Sequence, residues 1–327
     1  VILLDGRAVR RHLPYPVALL AAREALMSFS AGRVQQPLRT VIRGGEHGVF
    51  GAMPVQVLDG PAAGFGVKTV VVKHGNAARG LPSHVGFVLL FDADTGRPTA
   101  ALDAAAVTEI RTAACSAVAT AALAGPAAGE VAVLGTGAQA RAHLQALLAV
   151  RPLDRVRVWG RDAQRAERFC GWAVQTLGLD THRAASPAEA ARGAGIICTT
   201  TAACEPLLSA ADITAGAHIN AVGACQPGFR ELAGDLMASA TVLVDSRESA
   251  LAESDELRQP MREGLFGPEH VVAEVGEVLL GSHPGRRDPQ EVTVFDSVGL
   301  AVLDVFAAWH ATQAARRSGG EQELDLT

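Results

Sequence analysis

A chain of 327 residues exceeds what a single hydrophobic core usually serves, so two domains are expected. It is 49% hydrophobic and 19% charged, with a net charge of −5 and no block of Lys or Arg, which leaves nucleic acid and membrane surfaces as unexpected partners. Aromatics at 4% are too few for base-stacking platforms, and no apolar run approaches the ~20 residues of a membrane span.

In chain order, Val1–Asp5 is too short and wrongly flanked for a signal peptide, and the scattered cysteines make the cytoplasm the expected compartment. The spacing of Leu19, Leu20, Ala22, Ala25, Leu26 and Phe29 predicts a helix over 17–31, stopped by Gly32. Strands follow at 65–72, 84–91 and 98–102, the last two joined by the turn Asp92-Ala-Asp-Thr-Gly96. Strands without intervening helices point to an antiparallel or mixed sheet. The apolar run over 65–91 is expected to leave open edges that a homodimer would cover. An Ala-rich helix spans 105–124, and Gly125-Pro126 end it.

The pattern then changes to alternation. Strands at 131–134, 155–159, 181–185, 195–199, 218–222, 241–245 and 292–295 are interspersed with helices to residue 150 and at 163–177 and 187–193. This predicts an α/β fold with a doubly wound parallel sheet. A last helix runs from 299 to 315, and Arg316–Thr327 is a polar tail. The five cysteines are odd in number and scattered, so neither a disulfide framework nor a metal site is expected.

The most informative segment is Val131-Ala-Val-Leu-Gly135-Thr136-Gly137-Ala138-Gln139-Ala140. It reads as a buried strand, a G-x-G-x-x-A turn and a helix. Gly135 permits the tight turn, Gly137 the close approach of a pyrophosphate, and Ala140 close helix–strand packing; the helix N-terminus offers free N–H groups to phosphate. At the end of the next strand an NAD enzyme places an acid for the ribose hydroxyl. Here Gly160 stands there, followed by Arg161, which suits a 2′-phosphate, so NADPH is expected ahead of NADH. Asp162, one residue on, would restore an acid.

Of 29 basic residues only Lys68 and Lys73 are lysines, so in this arginine background each stands out. Five positions apart on a regular strand they face opposite sides, which leaves Lys73 to solvent.

The segments Gly80-Leu-Pro-Ser83-His84, Leu90–Gly96, Thr108-Glu-Ile-Arg111-Thr112-Ala-Ala114, Leu134–Gln139, Gly216–Gly223 and Phe295-Asp-Ser297–Ala301 carry a resemblance. In this order, over almost the whole chain, they are similar to the ornithine cyclodeaminase/mu-crystallin family. The resemblance implies a Rossmann domain, about 126–297, inserted into a substrate and dimerisation domain made of 1–125 and 298–327. It also implies a homodimer and a small α-amino or α-imino acid substrate, and the match at Ser83-His84 is closer to mu-crystallins than to cyclodeaminases.

That substrate theme requires a carboxylate to be held. Arg39 matches a substrate arginine of the family, and Lys68 and Arg111 lie among apolar neighbours, where cations are costly unless an anion is bound. Ser83 and Cys225 join these as substrate-lining residues, and Arg111 and Thr112 also face the cofactor by resemblance. Thr199, Thr200 and Thr201, with Val222 and Gly223, follow strands whose carboxyl ends bind ligands in such sheets, and Ser297 resembles a position near the nicotinamide.

The leading expectation is an NADPH-dependent reductase of a cyclic ketimine carboxylate. Lys68, His84 or solvent would supply the proton on the imine nitrogen. A cyclodeaminase with bound NAD, an alanine or opine-type dehydrogenase, and a non-catalytic binding protein are the other readings. Family cyclodeaminases carry an aspartate where Cys225 stands, and a thiol does not replace that charge, which weighs against the lyase.

Overall fold

The computed structural model describes residues 1–82 and 84–325. The chain forms two compact units, Val1–Thr112 with Leu300–Thr327, and Ala113–Gly299. The division falls inside the helix Ala104–Leu123, whereas sequence pointed to 125/126, just past its end. Gly125-Pro126 stop the helix, but a breaker marks where an element ends and not where its neighbours change.

In the first unit a mixed sheet runs Gln322–Glu323, Ile2–Leu4, Pro98–Asp103, His84–Asp92, Gly64–Val72, Val49–Val57 and Val34–Gln35, with Thr40–Arg43 also pairing to Val49–Val57. The pairings are antiparallel except Ile2–Leu4 with Pro98–Asp103. Helices Tyr15–Ser30 and Ala301–Ser318 pack on each other, and the second also covers the three middle strands. Period-two alternation sends Gly64, Gly66 and Lys68 inward, while Phe65 and Val71 point outward.

The strand Val49–Val57 escaped the sequence reading because Gly51, Ala52 and Pro54 dilute its β-propensity. Pro54, which has no N–H to donate, falls between the stretches paired to Val34–Gln35 and to Thr40–Arg43. Gly64–Val72 and His84–Asp92 each have a neighbour on both sides, so the open edges expected there do not exist. What stays open is a face: Phe50, Phe65, Val71, Val85 and Phe87 lie on one side of the sheet at 37–58% exposure. Lys73 lies just beyond its strand and is half-buried rather than solvent-facing.

In the second unit eight strands, all within the described residues, form a parallel sheet. Their order is Thr181–Arg183, Arg155–Trp159, Glu130–Leu134, Ile196–Thr199, His218–Ala221, Thr293–Asp296, Thr241–Val244 and Val271–Glu274. Its central strands are buried along nearly their whole length, as expected when helices cover both faces. The chain moves outward from Glu130–Leu134 in one direction, then returns to start again at Ile196–Thr199. Between these two strands lies the switch point of a doubly wound, Rossmann-like fold, where such sheets bind ligands at the strands' carboxyl ends. The short helices Gly234–Ser239, Arg247–Glu253, Asp255–Arg262 and Val275–Leu279 were not anticipated, being too brief to display a period. Among the described residues no helix is long and apolar enough to cross a membrane.

Candidate functional site

The glycine turn follows strand Glu130–Leu134 on the second unit. Gly135 has φ +115, and a Cβ there would stand 2.6 Å from Thr200 Oγ1 and 2.8 Å from its carbonyl oxygen, so both conformation and space require glycine. Gly137 caps the helix Ala138–Leu148 without a side-chain hydrogen bond, and a Cβ on it would meet nothing within 4 Å. The first helical N–H groups have no intrahelical acceptor, and Gln139 Oε1 is buried with no hydrogen-bond partner among the described residues. Ala140 is fully buried behind them. An open glycine and an uncapped helix start fit the diphosphate of a dinucleotide.

The residues that would choose between dinucleotides lie after strand Arg155–Trp159. A Cβ on Gly160 would stand 2.8 Å from Thr136 Cγ2, so a larger residue there crowds the glycine turn. Asp162 caps the helix Ala163–Trp172: Oδ1 accepts from Arg165 N at 3.0 Å, and Oδ2 lies 3.5 Å from Arg165 Nε. Arg161 is exposed and forms no ion pair among the described residues.

The strand ends bear the other expected cofactor residues. Thr199 is buried, and Thr200 N and Oγ1 both donate to Leu134 O. Thr201 and Gly223 are held by a residue the sequence reading missed, Glu231, whose carboxylate accepts from Thr201 N, Thr201 Oγ1 and Gly223 N. Val222 is buried at 7%. Ser297 Oγ donates to Asp245 Oδ2 at 3.0 Å, and Gly299 N to the same oxygen at 2.6 Å. Glu231, Asp245, Glu256 and Asp296 are all at most 1% exposed. Burial pushes Asp296 up to about 7, the like charges of Asp245 and Glu231 adding to it, and burial likewise lifts Glu256 well above the carboxylate range. Among the described residues no group of three His, Cys, Asp or Glu is arranged to hold a metal ion.

The cation set lies within the first unit. Lys68 and Arg111 are each 5% exposed. Between them, on the helix Ala301–Ser318, is Asp304: Lys68 Nζ is 3.0 Å from Oδ2 and Arg111 Nε 2.9 Å from Oδ1. Lys68 also donates to Thr108 Oγ1 at 3.3 Å. The expectation that these cations need an external anion is thus corrected, because Asp304 supplies the counter-charge. Two cations on one carboxylate still leave the set positive, and the half-buried Arg39 adds to the field on Lys68. Burial pushes the Lys68 ammonium down to about 8, with Asp304 pulling it back up. Burial opposes ionisation of Asp304, but Arg111 and Lys68 outweigh it and hold the carboxyl below its usual range. Thr112 follows Arg111 on the helix and is buried.

The sequence pattern of the ornithine cyclodeaminase/mu-crystallin family matches residues 5–319. The chain belongs to that family. A Δ1-pyrroline-2-carboxylate reductase of Bacillus cereus is 38% identical over the whole of both chains. The solved structure of a Δ1-pyrroline-2-carboxylate reductase from Thermococcus litoralis, in complex with NADH and L-proline, superposes with a TM-score of 0.94 at 31% identity, covering 99% of this chain and 100% of that one. An archaeal alanine dehydrogenase dimer with bound NAD reaches 0.93 at 29% identity, covering 100% and 99%.

Of the remaining residues named from the family resemblance, Ser83 lies outside the described residues. His84 opens the strand His84–Asp92, exposed, opposite Val72. Cys225 is a half-buried free thiol in the loop after His218–Ala221. Asp304 had a signal that could have been read, an acid inside an otherwise apolar helical run. Glu231 had none, because the strand ends it joins are distant in sequence.

Proposed function

We propose that the chain is an NADPH-dependent reductase of a small cyclic ketimine carboxylate, yielding the cyclic amino acid, and that it works as a homodimer. The observation that carries the reading is the buried Lys68–Asp304–Arg111 set, which stays positive and holds an ammonium that burial pushes down to about 8. Such a set serves an anionic substrate that must also receive a proton. When bound, the dinucleotide supplies the hydride that adds to the C=N carbon. The uncapped start of helix Ala138–Leu148 would hold its diphosphate, Arg161 its 2′-phosphate, and the Thr199–Thr201, Val222–Gly223 and Ser297 strand ends its remaining length.

The substrate carboxylate falls to Arg39, Lys68 and Arg111. Asp304 occupies only Nε of Arg111, which leaves its two Nη groups for a second acceptor. Lys68 has three N–H donors: one bonds Thr108 Oγ1, while Asp304 Oδ2 lies 3.0 Å from Nζ as an ion pair. The two N–H groups left serve the substrate carboxylate and the proton at the imine nitrogen, with exposed His84 as the other donor on the chain. Holding carboxylate and ring nitrogen together fixes the carbon that accepts the hydride. The relatives named above favour a five-membered ring.

The test is NADPH oxidation with five- and six-membered cyclic ketimine carboxylates, run beside ammonia release from ornithine with NAD. Oxidation with a ketimine and no ammonia is expected, since Cys225 brings no carboxylate to the loop. Efficient conversion of ornithine to proline would overturn the reading. The apolar outer face of the first unit's sheet supports the dimer.

A further inference from the structure

Burying a carboxylate costs several kcal/mol unless donors replace its water. Glu231 is fully buried, and hydrogen bonds from two neighbouring strand ends offset part of this cost, although burial still holds its carboxyl above the usual range. Oε1 accepts from Thr201 N at 2.6 Å and from Thr201 Oγ1 at 2.7 Å, both just beyond the strand Ile196–Thr199. Oε2 accepts from Gly223 N at 2.8 Å, just beyond the adjacent strand His218–Ala221. The fit leaves no slack, because a Cβ on Gly223 would stand 2.6 Å from Glu231 Cδ and 2.2 Å from Thr201 O. Glu231 is itself anchored. Its carbonyl accepts from Leu207 N at 2.7 Å, and its N–H and that of Leu232 donate to the buried Glu256 carboxyl at 2.5 and 3.1 Å.

We propose that Glu231 is a positioning residue: its carboxylate ties the Thr201 and Gly223 strand ends at a fixed spacing and so shapes the surface that receives the dinucleotide. This rests on the reading that those strand ends carry the dinucleotide. Three donors converge on the side chain, and an ionised carboxylate can accept all of them. Glutamine of the same size cannot, because one end of its amide donates. Backbone bonds carry the pairing a little further, from Val222 N and Gly223 N to Thr199 O, but it is the Glu231 carboxylate that links Thr201 to Gly223.

The experiment compares the unaltered protein, Glu231→Gln, Thr201→Val and the double variant. Dinucleotide affinity is measured by nicotinamide fluorescence titration, and kcat and both KM values by NADPH oxidation. Glu231→Gln is expected to weaken the dinucleotide about tenfold and lower kcat, with the imine KM nearly unchanged. Thr201→Val removes one of the three donors and should weaken the dinucleotide about threefold. The double variant should lose no more than Glu231→Gln alone, because the hydroxyl acts through the carboxylate. If the unaltered protein binds no dinucleotide, the reading of the strand ends fails and the inference with it. If it binds, and folded Glu231→Gln binds within about twofold of it or loses both KM values equally, the positioning role is wrong and the reading stands. Should Glu231→Gln fail to fold, Thr201→Val decides alone: unchanged dinucleotide affinity in it overturns the inference.

Discussion

Arg161 and Asp162 are neighbours in sequence, but the fold leaves them with different freedom. Asp162 is committed to the first turn of the helix Ala163–Trp172, and the N–H of Arg165 holds its carboxyl below the usual range. Part of the accepting capacity of that carboxylate is therefore already taken by the helix cap. Arg161 stands exposed with its fork of donors open, and planar guanidinium suits a phosphate. Arg161→Ala is therefore expected to weaken NADPH by about 10- to 100-fold and to leave NADH nearly unchanged. Titrating both cofactors against the variant checks this, and an equal loss for each would assign the arginine to something other than the 2′-phosphate. Both residues were legible from sequence because the strand–turn–helix spacing places them. What could not be read was which was already occupied, since a helix cap is a property of backbone geometry.

The helix Ala301–Ser318 lies over the sheet of the first unit and brings Asp304 between the strand bearing Lys68 and the helix bearing Arg111. A side chain on Gly66 would clash with Val305, so the close seating of helix on strand is built into the sequence. Sequence reading found both cations and expected an anion, but not that the anion arrives from a helix nearly two hundred residues beyond Arg111. The consequence concerns pH. Lys68 titrates at about 8, lowered from its ordinary value, so the ammonium dominates below that pH and is lost above it. kcat/KM for imine reduction should fall as pH rises through about 8. Asp304→Asn removes the charge that holds the ammonium up, and should move this limb to lower pH. Lys68→Met should abolish the limb and lower kcat/KM by about 10- to 100-fold. A limb that stays in place in Asp304→Asn would belong to another group.

Over the molecule as a whole, the second unit was the more legible, because buried parallel strands read as short apolar runs and the glycine turn marks the first of them. The first unit was harder. Its strand Val49–Val57 carries Gly51 and Pro54, and its terminal strands Ile2–Leu4 and Gln322–Glu323 are too short to show alternation. The apolar character of 65–91 was visible, but without the neighbouring strands it read as open edges. The sheet closes those edges and leaves a face instead. Phe50, Val71 and Val85 lie side by side across three strands, with Phe65 and Phe87 on the same side. A continuous apolar sheet face of this kind marks an association surface more often than a solvated one. A second copy of the chain supplies the same face, and two such faces can pack as the layers of a sandwich do. Phe87 is 58% exposed in the single chain, so Phe87→Asp should cost the isolated fold little. Across a dimer interface the same change buries an unpaired charge, a penalty of several kcal/mol per protomer. Sedimentation velocity at micromolar concentration should therefore show a dimer for the unaltered protein and a folded monomer for Phe87→Asp, with its circular dichroism unchanged. A monomeric parent would remove the proposed dimer, and a dimeric variant would move the interface to another surface.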